Sequence, residues 1–321
     1  MGVAILRAGK ALPELKVDNH KLAELVETEH QWIMDRTGIE SRQIATTESA
    51  LDLAVTAAKE AMEDMDRNSI GLVIVATVSP DMLVPSMGAL VKRALKLENA
   101  VAYDLNAACS GFIYALWNAE ALMKTHGIQR ALVIGVERLS RITNWEDRGT
   151  CILFGDGAGC AVLELMEDKP GILSSFIKNY DDVTNCLTCD MEYIKTPFAD
   201  DGPKAQYISM NGNQVFRFAV GAIGEAMEAA LEKAGLKADD VKYYVPHQAN
   251  MRIIQSAAQR MNQPIEKFQV NIRTTGNVSA ASVPMALTDL MKSGEIRPGD
   301  KIMLVGFGGG LTAGAVLFEA I

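Results

Sequence analysis

A cysteine stands where an apolar segment gives way to a long amphipathic one. Cys109 lies within residues 104–112 (DLNAACSGF). This order predicts a strand followed by a helix, so the thiol faces the unpaired N–H groups and the positive dipole end of the helix. Such a position favours the thiolate, the nucleophilic form of cysteine. The alternative is an inert thiol, because free cysteines are commonly buried.

A histidine and an asparagine occur in comparable settings later in the chain. His247 directly follows a predicted strand, in residues 245–250 (VPHQAN), and so lies at its carboxyl end. Asn277 lies in a small-residue stretch, 274–282 (TTGNVSAAS), just before a predicted helix. A lone histidine is usually a surface or core residue, and asparagine is common in turns and helix caps. Because ligand sites form where strand ends converge, we interpret the three residues as one site.

The elements of the first half recur in the second. Residues 50–65 and 220–234 each show the apolar spacing of an amphipathic helix, and a β-rich run follows each of them. Alternating strands and helices predict an α/β protein in which each half, residues 1–166 and residues 167–321, forms a mixed sheet with helices on its faces. Two such halves can pack by sharing a layer of helices. Chance similarity between helical stretches is the alternative.

A Leu-Met-Lys tripeptide gives an offset between the halves. It ends at Lys124 and again at Lys292, each time shortly before an apolar strand, and the two copies are 168 residues apart. That offset pairs Cys109 with Asn277. We therefore expect these two side chains at equivalent strand-to-helix corners, which converge in the middle of a duplicated fold.

Composition limits the classes of function. The chain has 321 residues, of which 49% are hydrophobic and 22% charged, the balance of an ordinary globular protein. Its formal net charge of −9 opposes binding to nucleic acid or to an anionic membrane. No apolar run is long enough to span a bilayer, and the N-terminus is interpreted as a first strand instead of a signal peptide. Five cysteines, an odd number, favour a reducing cytoplasm.

Two further motifs have limited interpretations. Residues 306–314 (GFGGGLTAG) lack the lysine of a phosphate loop and precede a strand, so they predict a turn whose bare N–H groups can approach a substrate oxygen. Cys186 and Cys189 form a lone C-x-x-C pair, which by itself is a weak indication of metal or redox chemistry.

The ordered set of motifs resembles the β-ketoacyl-acyl carrier protein synthase III family of the thiolase superfamily, nearly end to end. The matching segments are 32–39 (WIMDRTGI), 107–112 (AACSGF), 147–150 (DRGT), 154–159 (FGDGAG), 245–250 (VPHQAN), 276–284 (GNVSAASVP) and 306–310 (GFGGG). The resemblance implies a thiolase-like five-layered αβαβα fold, a homodimer, and a triad of Cys109, His247 and Asn277.

The resemblance also implies a reaction, the initiating condensation of bacterial type II fatty acid synthesis. An acyl-CoA, typically acetyl-CoA, acylates Cys109; malonyl-acyl carrier protein then loses carbon dioxide, and its carbanion attacks the acyl thioester to give 3-oxoacyl-acyl carrier protein. His247 and Asn277 would stabilise the malonyl thioester oxygen. The backbone N–H groups of Cys109 and Gly309 would stabilise the oxyanion of the other thioester, and each donor would contribute about 3–4 kcal/mol. Both thioesters are substrates, so no cofactor or metal is expected.

Binding residues follow from the same resemblance. The residues expected to hold CoA are Trp32 and Arg148 at the adenine, and Arg36, Gly212, Phe216 and Asn250 along the pantetheine. The residues expected to contact the acyl carrier protein are Gln248, Ala249, Asn250, Met251 and Arg252, with Arg217 beside them. Arginines near strand-end loops suit a phosphorylated carrier even though the whole chain is acidic.

Some positions depart from the commonest family pattern. Val84 stands where a bulky aromatic residue often closes the primer pocket, and Leu311 and Ala313 also replace larger aromatics. Smaller side chains would admit a longer or branched primer, as in a related ketosynthase of secondary metabolism, which is the main alternative.

Other classes fit the sequence less well. A papain-like hydrolase also uses Cys, His and Asn in this order, but its nucleophile lies near the N-terminus of a secreted chain. A hydroxymethylglutaryl-CoA synthase needs a carboxylate base in the N-terminal half, where no matching motif occurs. A scaffold without activity is disfavoured because all three chemical residues are present.

Overall fold

The computed structural model describes residues 1–190, 197–198 and 207–321. The first half forms β1 (Gly2–Ala11), β2 (Leu15–Asp18), α1 (Asn19–Leu22), α2 (His30–Thr37), β3 (Ser41–Ile44), α3 (Ala50–Ala61), β4 (Ile70–Ala76), α4 (Met87–Leu95), β5 (Val101–Leu105), α5 (Gly111–His126), β6 (Arg130–Arg138), α6 (Arg148–Cys151) and β7 (Asp156–Met166). The second half forms β8 (Ile172–Asn179), β9 (Leu187–Cys189), β10 (Ile208–Met210), α7 (Gly212–Ala234), β11 (Val241–Pro246), α8 (Met251–Arg260), α9 (Ile272–Thr275), α10 (Ser282–Lys292), β12 (Lys301–Gly308) and β13 (Thr312–Glu319). Among the described residues, no helix combines the length and apolar character needed to cross a membrane.

Two mixed sheets form the framework. In the five-stranded sheet the order is β1-β7-β6-β4-β5, with β6, β4 and β5 parallel and β7 antiparallel to both of its neighbours. In the four-stranded sheet the order is β11-β12-β13-β8, and only β11 and β12 are parallel. The first sheet is built from strands that end by Met166, and the second from strands that begin at Ile172. The predicted mixed sheets are therefore confirmed.

Helices on both faces of each sheet complete five layers. Helices α3 and α4 cover the outer face of the first sheet, α5 and α10 lie between the sheets, and α7 and α8 cover the outer face of the second. The side chains alternate accordingly: Leu72 and Ile74 of β4 pack in the central layer, whereas Val73 and Val75 pack against α3 and α4. The predicted αβαβα arrangement is confirmed.

The two halves repeat with an offset of 171 residues. Strand β4 begins at Ile70 and β11 at Val241; β6 begins at Arg130 and β12 at Lys301. The predicted offset of 168 residues was wrong because it was taken from the ends of two helices of different length. Helix α5 has 16 residues and α10 has 11, so their C-terminal ends are not equivalent.

The corrected offset changes the partner of Cys109. Single turns of 3₁₀ helix, Ala108–Ser110 and Ser279–Ala281, precede α5 and α10, and each begins at positive φ, 47° at Ala108 and 42° at Ser279. The counterpart of Cys109 is therefore Ala280, three residues beyond Asn277.

The counterpart of Asn277 is another asparagine, Asn106. The Asn106 side chain accepts a hydrogen bond from the Ala108 N–H at 3.2 Å, and the Asn277 side chain accepts one from the Ser279 N–H at 2.9 Å. Both asparagines thus hold the turn that follows them. Cys109 and Asn277 therefore occupy positions three residues apart in one repeated motif, and not equivalent positions.

The contact between Gly135 in β6 and Ala280 permits a stability test. A Cβ added at Gly135 would lie 2.2 Å from the Ala280 carbonyl oxygen, and β6 is an interior strand that cannot move aside. We expect Gly135→Ala to lower the free energy of unfolding by about 1–3 kcal/mol or more, because overpacking displaces backbone. Gly221→Ala in α7 is the control: nothing lies within 4 Å of its Cβ, so alanine should raise stability by about 0.5–1 kcal/mol. Urea denaturation with equal midpoints for both variants would contradict this.

Candidate active site

One cavity brings the three chemical residues together. Cys109, His247 and Asn277 all line a cavity of about 270 Å³ whose walls are mainly apolar. Cys109 comes from the turn before α5, His247 from the end of β11, and Asn277 from the segment between α9 and the turn before α10. The residues expected to bind CoA that line this cavity are Trp32, Arg36, Gly212, Phe216 and Asn250. Ala249, which was expected to contact the carrier protein, lines it too.

Glycines of β12 allow the backbone to approach Cys109. A Cβ on Gly308 would lie 2.6 Å from the Cys109 backbone nitrogen, and one on Gly306 would lie 3.3 Å from the Ser110 Cα. Only glycine fits so close an approach. The Cys109 N–H and the Gly308 backbone consequently share the floor of the cavity.

The resting state of Cys109 differs from the sequence prediction. Burial raises the pKa of its thiol to about 11; the Ser279 hydroxyl lowers this pKa, and the negative charge of Glu137 raises it. Loss of hydration disfavours the charged form of the thiol. At neutral pH the resting group is therefore a thiol.

His247 is held in a neutral state. Its backbone N–H donates to the Val305 carbonyl at 2.8 Å, and its ring lies edge-to-face with Phe307 at a centroid distance of 5.2 Å. Burial lowers the pKa of His247 to about 3, because the imidazolium would be stripped of water. A neutral ring offers one N–H donor and one acceptor nitrogen. Its Nδ1 has no hydrogen-bond partner among the described residues.

The Asn277 side chain is oriented by its own backbone neighbourhood. The backbone N–H of Asn277 donates to the Leu153 carbonyl at 2.9 Å, and its backbone carbonyl accepts from the Gly155 N–H at 3.0 Å. Its Oδ1 accepts from the Ser279 N–H, so the side-chain oxygen is occupied. The side-chain NH₂ is left as the donor for a ligand in the cavity.

The mouth of the cavity carries a tryptophan that two arginines contact. The Arg36 and Arg148 guanidinium carbons lie 5.4 and 4.8 Å from the Trp32 ring centroid. Asn250 donates to the Arg36 carbonyl at 2.9 Å and caps α8 by accepting from the Arg252 N–H at 2.9 Å. This arrangement fixes α2 against the start of α8 and gives the mouth positive charge.

The structure contradicts one predicted contact with the acyl carrier protein. Gln248 is completely buried, and its side-chain nitrogen donates to the carbonyls of Pro246 and Gln269. Its oxygen accepts the N–H groups of Asn271 and Ile272. Gln248 joins β11 to the segment before α9, so it cannot touch a docked protein. The neighbouring Arg252 is exposed, as is Arg217 on α7, although neither lines the cavity.

Two positions near the predicted primer pocket also differ from expectation. Val84 is 85% exposed and does not line the cavity of this chain, since it lies on a surface loop between β4 and α4. Leu311 does line the cavity, whereas Ala313 is buried within β13. Gly309 lies beside Leu187, next to the lining residue Gly308, and its role as an N–H donor stays a prediction.

A buried carboxylate beside the cavity escaped the sequence analysis. Glu137, at the end of β6, is fully buried, and it accepts hydrogen bonds from the Ser79 hydroxyl at 2.5 Å, the Val78 N–H at 3.1 Å and the Thr77 hydroxyl at 3.3 Å. The available signal was a charge closing an otherwise apolar run, residues 131–137 (ALVIGVE). Such a residue at a strand end is usually interpreted as the first surface position.

The burial of the Glu137 carboxyl group makes the free energy of unfolding depend on pH. Burial raises its pKa from 4.5 to about 7, so the folded chain keeps a proton that the unfolded chain releases between these values. This contribution to stability is present below pH 4.5 and is lost as the pH rises through 7. Relative to Glu137→Gln, the wild type should therefore lose about 2–3 kcal/mol of unfolding free energy between pH 5 and pH 8.

Denaturation in urea at the two pH values measures this difference. Glu266→Gln is the control, because Glu266 is exposed and should change both values equally. Parallel pH dependence of Glu137→Gln and the wild type would contradict the assigned burial.

The comparisons with known proteins agree on one family. Residues 103–180 match the family model described as 3-oxoacyl-[acyl-carrier-protein] synthase III, and residues 231–320 match the model of its C-terminal part. The β-ketoacyl-[acyl-carrier-protein] synthase III of Clostridium beijerinckii is 44% identical, covering 99% of this chain and 99% of that protein.

Solved structures give the same result. The 3-oxoacyl-[acyl-carrier-protein] synthase III from Aquifex aeolicus VF5 has a TM-score of 0.93 at 41% identity, covering 99% of this chain and 100% of the other. The β-ketoacyl-[acyl-carrier-protein] synthase III from Thermus thermophilus has a TM-score of 0.92 at 39% identity, covering 98% of both chains. The predicted thiolase-like fold is confirmed by this likeness.

Proposed function

The chain belongs to the 3-oxoacyl-[acyl-carrier-protein] synthase III family, and we propose that Cys109, His247 and Asn277 perform its reaction. The protein is an acyltransferase that catalyses the initiating condensation of type II fatty acid synthesis, with acyl-CoA and acyl carrier protein thioesters as substrates. Relatives of this name match the whole chain at 41–44% identity, so a role in secondary metabolism is not favoured. The proposal for the residues rests on one observation: three separate elements direct a thiol, an imidazole and a carboxamide into the same apolar cavity.

The first half-reaction uses the positive mouth and the cavity floor. Trp32 and the two arginines beside it suit an adenine ring and the phosphates of CoA. The pantetheine then passes Asn250 and Phe216 to bring the thioester carbonyl to Cys109. Backbone N–H groups of Cys109 and Gly309 stabilise the resulting oxyanion.

The second half-reaction uses neutral donors. Malonyl-acyl carrier protein places its thioester oxygen between His247 and Asn277, and negative charge develops on that oxygen as carbon dioxide leaves. The neutral imidazole and the Asn277 NH₂ both donate hydrogen bonds to it. The departing carbon dioxide creates the nucleophile, so we propose neither a metal nor a bound cofactor.

The carrier protein is proposed to dock beside the mouth. Arg217 and Arg252 are exposed there and offer guanidinium groups to an acidic or phosphorylated partner, although the chain as a whole carries a net charge of −9. We propose the cytoplasm as its location, because a thiol nucleophile needs a reducing compartment.

Substitution of the triad separates the two half-reactions. With acetyl-CoA, Cys109→Ser should form no acyl-enzyme, because a serine hydroxyl is far less nucleophilic than a thiol. Asn277→Ala should still be acylated, while condensation falls by about 10²–10³-fold through the loss of one oxyanion donor. Intact-protein mass spectrometry measures acylation, and carbon dioxide release measures condensation.

Cys189 provides the control for this test. Cys189→Ser should be acylated like the wild type, since Cys189 does not line the cavity. Equal loss of both steps in Asn277→Ala would contradict its role, and acylation of Cys109→Ser would remove Cys109 from the mechanism.

An edge strand supports the proposed homodimer. Strand β5 has β4 as its one neighbour within the described sheet, and its Val101 is 63% exposed. Its Asp104 accepts the N–H groups of Met87 and Gly88 at 2.8 and 2.7 Å, which holds the exposed apolar loop before α4 beside this edge. Unpaired edges bordered by apolar side chains pair readily with another strand, so we propose that a second copy of the chain binds here.

A charge on the edge strand tests the homodimer. Val101→Asp should convert dimer to monomer in analytical ultracentrifugation, because the carboxylate would be buried in the interface. Val183→Asp is the matched control: Val183 is 89% exposed and lies outside β5, so that variant should stay dimeric. A monomeric wild type, or an unaffected Val101→Asp, would rule the interface out.

A further inference from the structure

Two buried hydroxyls connect the turn that carries Cys109 to the hairpin formed by β12 and β13. The side-chain oxygens of Ser110 and Thr312 lie 2.7 Å apart, and both residues are buried. Ser110 directly follows Cys109, whereas Thr312 begins β13 and pairs across the hairpin with Gly308. Because Ser110 belongs to the first half of the fold and Thr312 to the second, their contact joins the two halves. Nothing in the proposed reaction uses either hydroxyl.

The protons of the two hydroxyls have one arrangement in which both hydrogen bonds are short. The Ser110 hydroxyl donates to the Ala107 carbonyl at 2.7 Å. Its single proton is then used, so the Thr312 hydroxyl donates to the Ser110 oxygen at 2.7 Å. The carbonyls of Ala107 and Gly309 are farther from the Thr312 oxygen, at 3.3 and 3.4 Å. Thr312 is therefore bound to the Cys109 turn while it faces the loop of its own hairpin.

This hydroxyl pair lies beside the point where the backbones of the hairpin and the turn touch. A Cβ on Gly308 would lie 2.6 Å from the Cys109 nitrogen, so the end of β12 rests directly on that turn. Within the part of the chain that the structure describes, every hydrogen bond between residues 107–110 and residues 305–312 passes through the Thr312 hydroxyl. Hydrogen bonds are directional, whereas apolar packing is not. The Thr312 hydroxyl therefore fixes how the hairpin is placed against Cys109.

We propose that Thr312 and Ser110 are positioning residues for the oxyanion hole, the pair of backbone N–H groups on Cys109 and Gly309. This inference rests on the proposed function, in which these two groups bind the thioester oxygen. Gly309 directly follows Gly308, and three loop residues separate β12 from β13, so Gly309 moves with Thr312. The bond between the hydroxyls thus holds the donor from the second half at a fixed distance from the donor of the first. Neither hydroxyl touches the substrate, since neither residue lines the cavity.

The proposed reaction needs this spacing twice in each turnover. A tetrahedral oxyanion forms when Cys109 attacks the acyl-CoA, and again when the malonyl carbanion attacks the acyl group on Cys109. Loss of one oxyanion donor slows such a step by about 10²–10³-fold. A displacement of about 1 Å can slow it by about 10²-fold. A residue that sets the distance between the two donors therefore acts on the rate of the chemical step and not on the binding of CoA.

Thr312→Val tests this role because it keeps the size of the side chain and removes its proton donor. A methyl group needs about 3.5 Å, so the 2.7 Å contact with Ser110 must widen by about 1 Å. We expect single-turnover acylation by acetyl-CoA, followed by quenched mass spectrometry, to be about 10–10²-fold slower. The acetyl-CoA concentration that gives half the maximal rate should not change. Thr312→Ser keeps the hydroxyl and should recover most of the rate.

Alkylation of Cys109 by iodoacetamide separates positioning of the oxyanion hole from general damage. In this reaction the sulfur bonds to the CH₂ carbon, the C–I bond breaks, iodide leaves and the thiol proton passes to solvent. No carbonyl oxygen gains charge, so Thr312→Val should be alkylated at the wild-type rate, measured on the Cys109 peptide. Thr288→Val is the matched control, because Thr288 is also buried and donates to the Pro284 carbonyl at 2.8 Å within α10. It should leave both rates unchanged.

The outcomes separate this inference from the proposed function. A wild type that iodoacetamide alkylates at Cys109 but that acetyl-CoA does not acylate refutes the proposed function. If the wild type is acylated, an unchanged acylation rate in Thr312→Val overturns the positioning role, and so does an equal loss of acylation and alkylation. Thr312→Ser as slow as Thr312→Val has the same meaning. If Thr312→Val does not fold, Ser110→Ala decides, because it removes the acceptor of the 2.7 Å bond, and acylation at the wild-type rate would overturn the role.

Discussion

The structure depends on how closely the two halves approach one another at their centre. The turn that carries Cys109 and the turn that follows Asn277 are pressed between the sheets, where Gly135, Gly306 and Gly308 remove the side chains that would hold them apart. Because no side chain separates these backbones, a small shift of either backbone would displace every reacting group. The pre-organisation of the site is thus a property of the interior packing, not of mobile loops.

Burial shifts the pKa values of the two reacting groups in opposite directions, with one result. It raises the pKa of Cys109 to about 11 and lowers that of His247 to about 3, so both are neutral at rest. Reacting groups without charge, in a cavity whose walls are mainly apolar, suit the apolar acyl chain that it must accept. Charge then appears only during the chemical steps, when donors already point at it and little water has to reorganise.

Strand-end motifs and amphipathic spacing are local signals, so the sequence was sufficient for the two mixed sheets and for the grouping of the triad, while the family resemblance supplied the five layers. The sequence analysis placed the internal repeat three residues off, because it took the offset from the ends of two helices. The length of a helix is decided by tertiary contacts, which the sequence does not show. Gln248 and Val84 show the same limit, because the burial of one and the exposure of the other depend on neighbours far along the chain. Glu137 was missed because a carboxylate at the end of a strand is ordinarily solvated, and its hydroxyl partners come from a separate strand end.

The paired asparagines carry a historical implication. Asn106 and Asn277 each use the side-chain oxygen to brace the next turn, yet the nitrogen of Asn277 alone borders the cavity. An ancestral unit that duplicated would have needed this brace twice before any chemistry existed. A site at Asn277 thus needs only the free end of an amide whose other end braces the fold, and Asn106 shows the same brace away from the cavity.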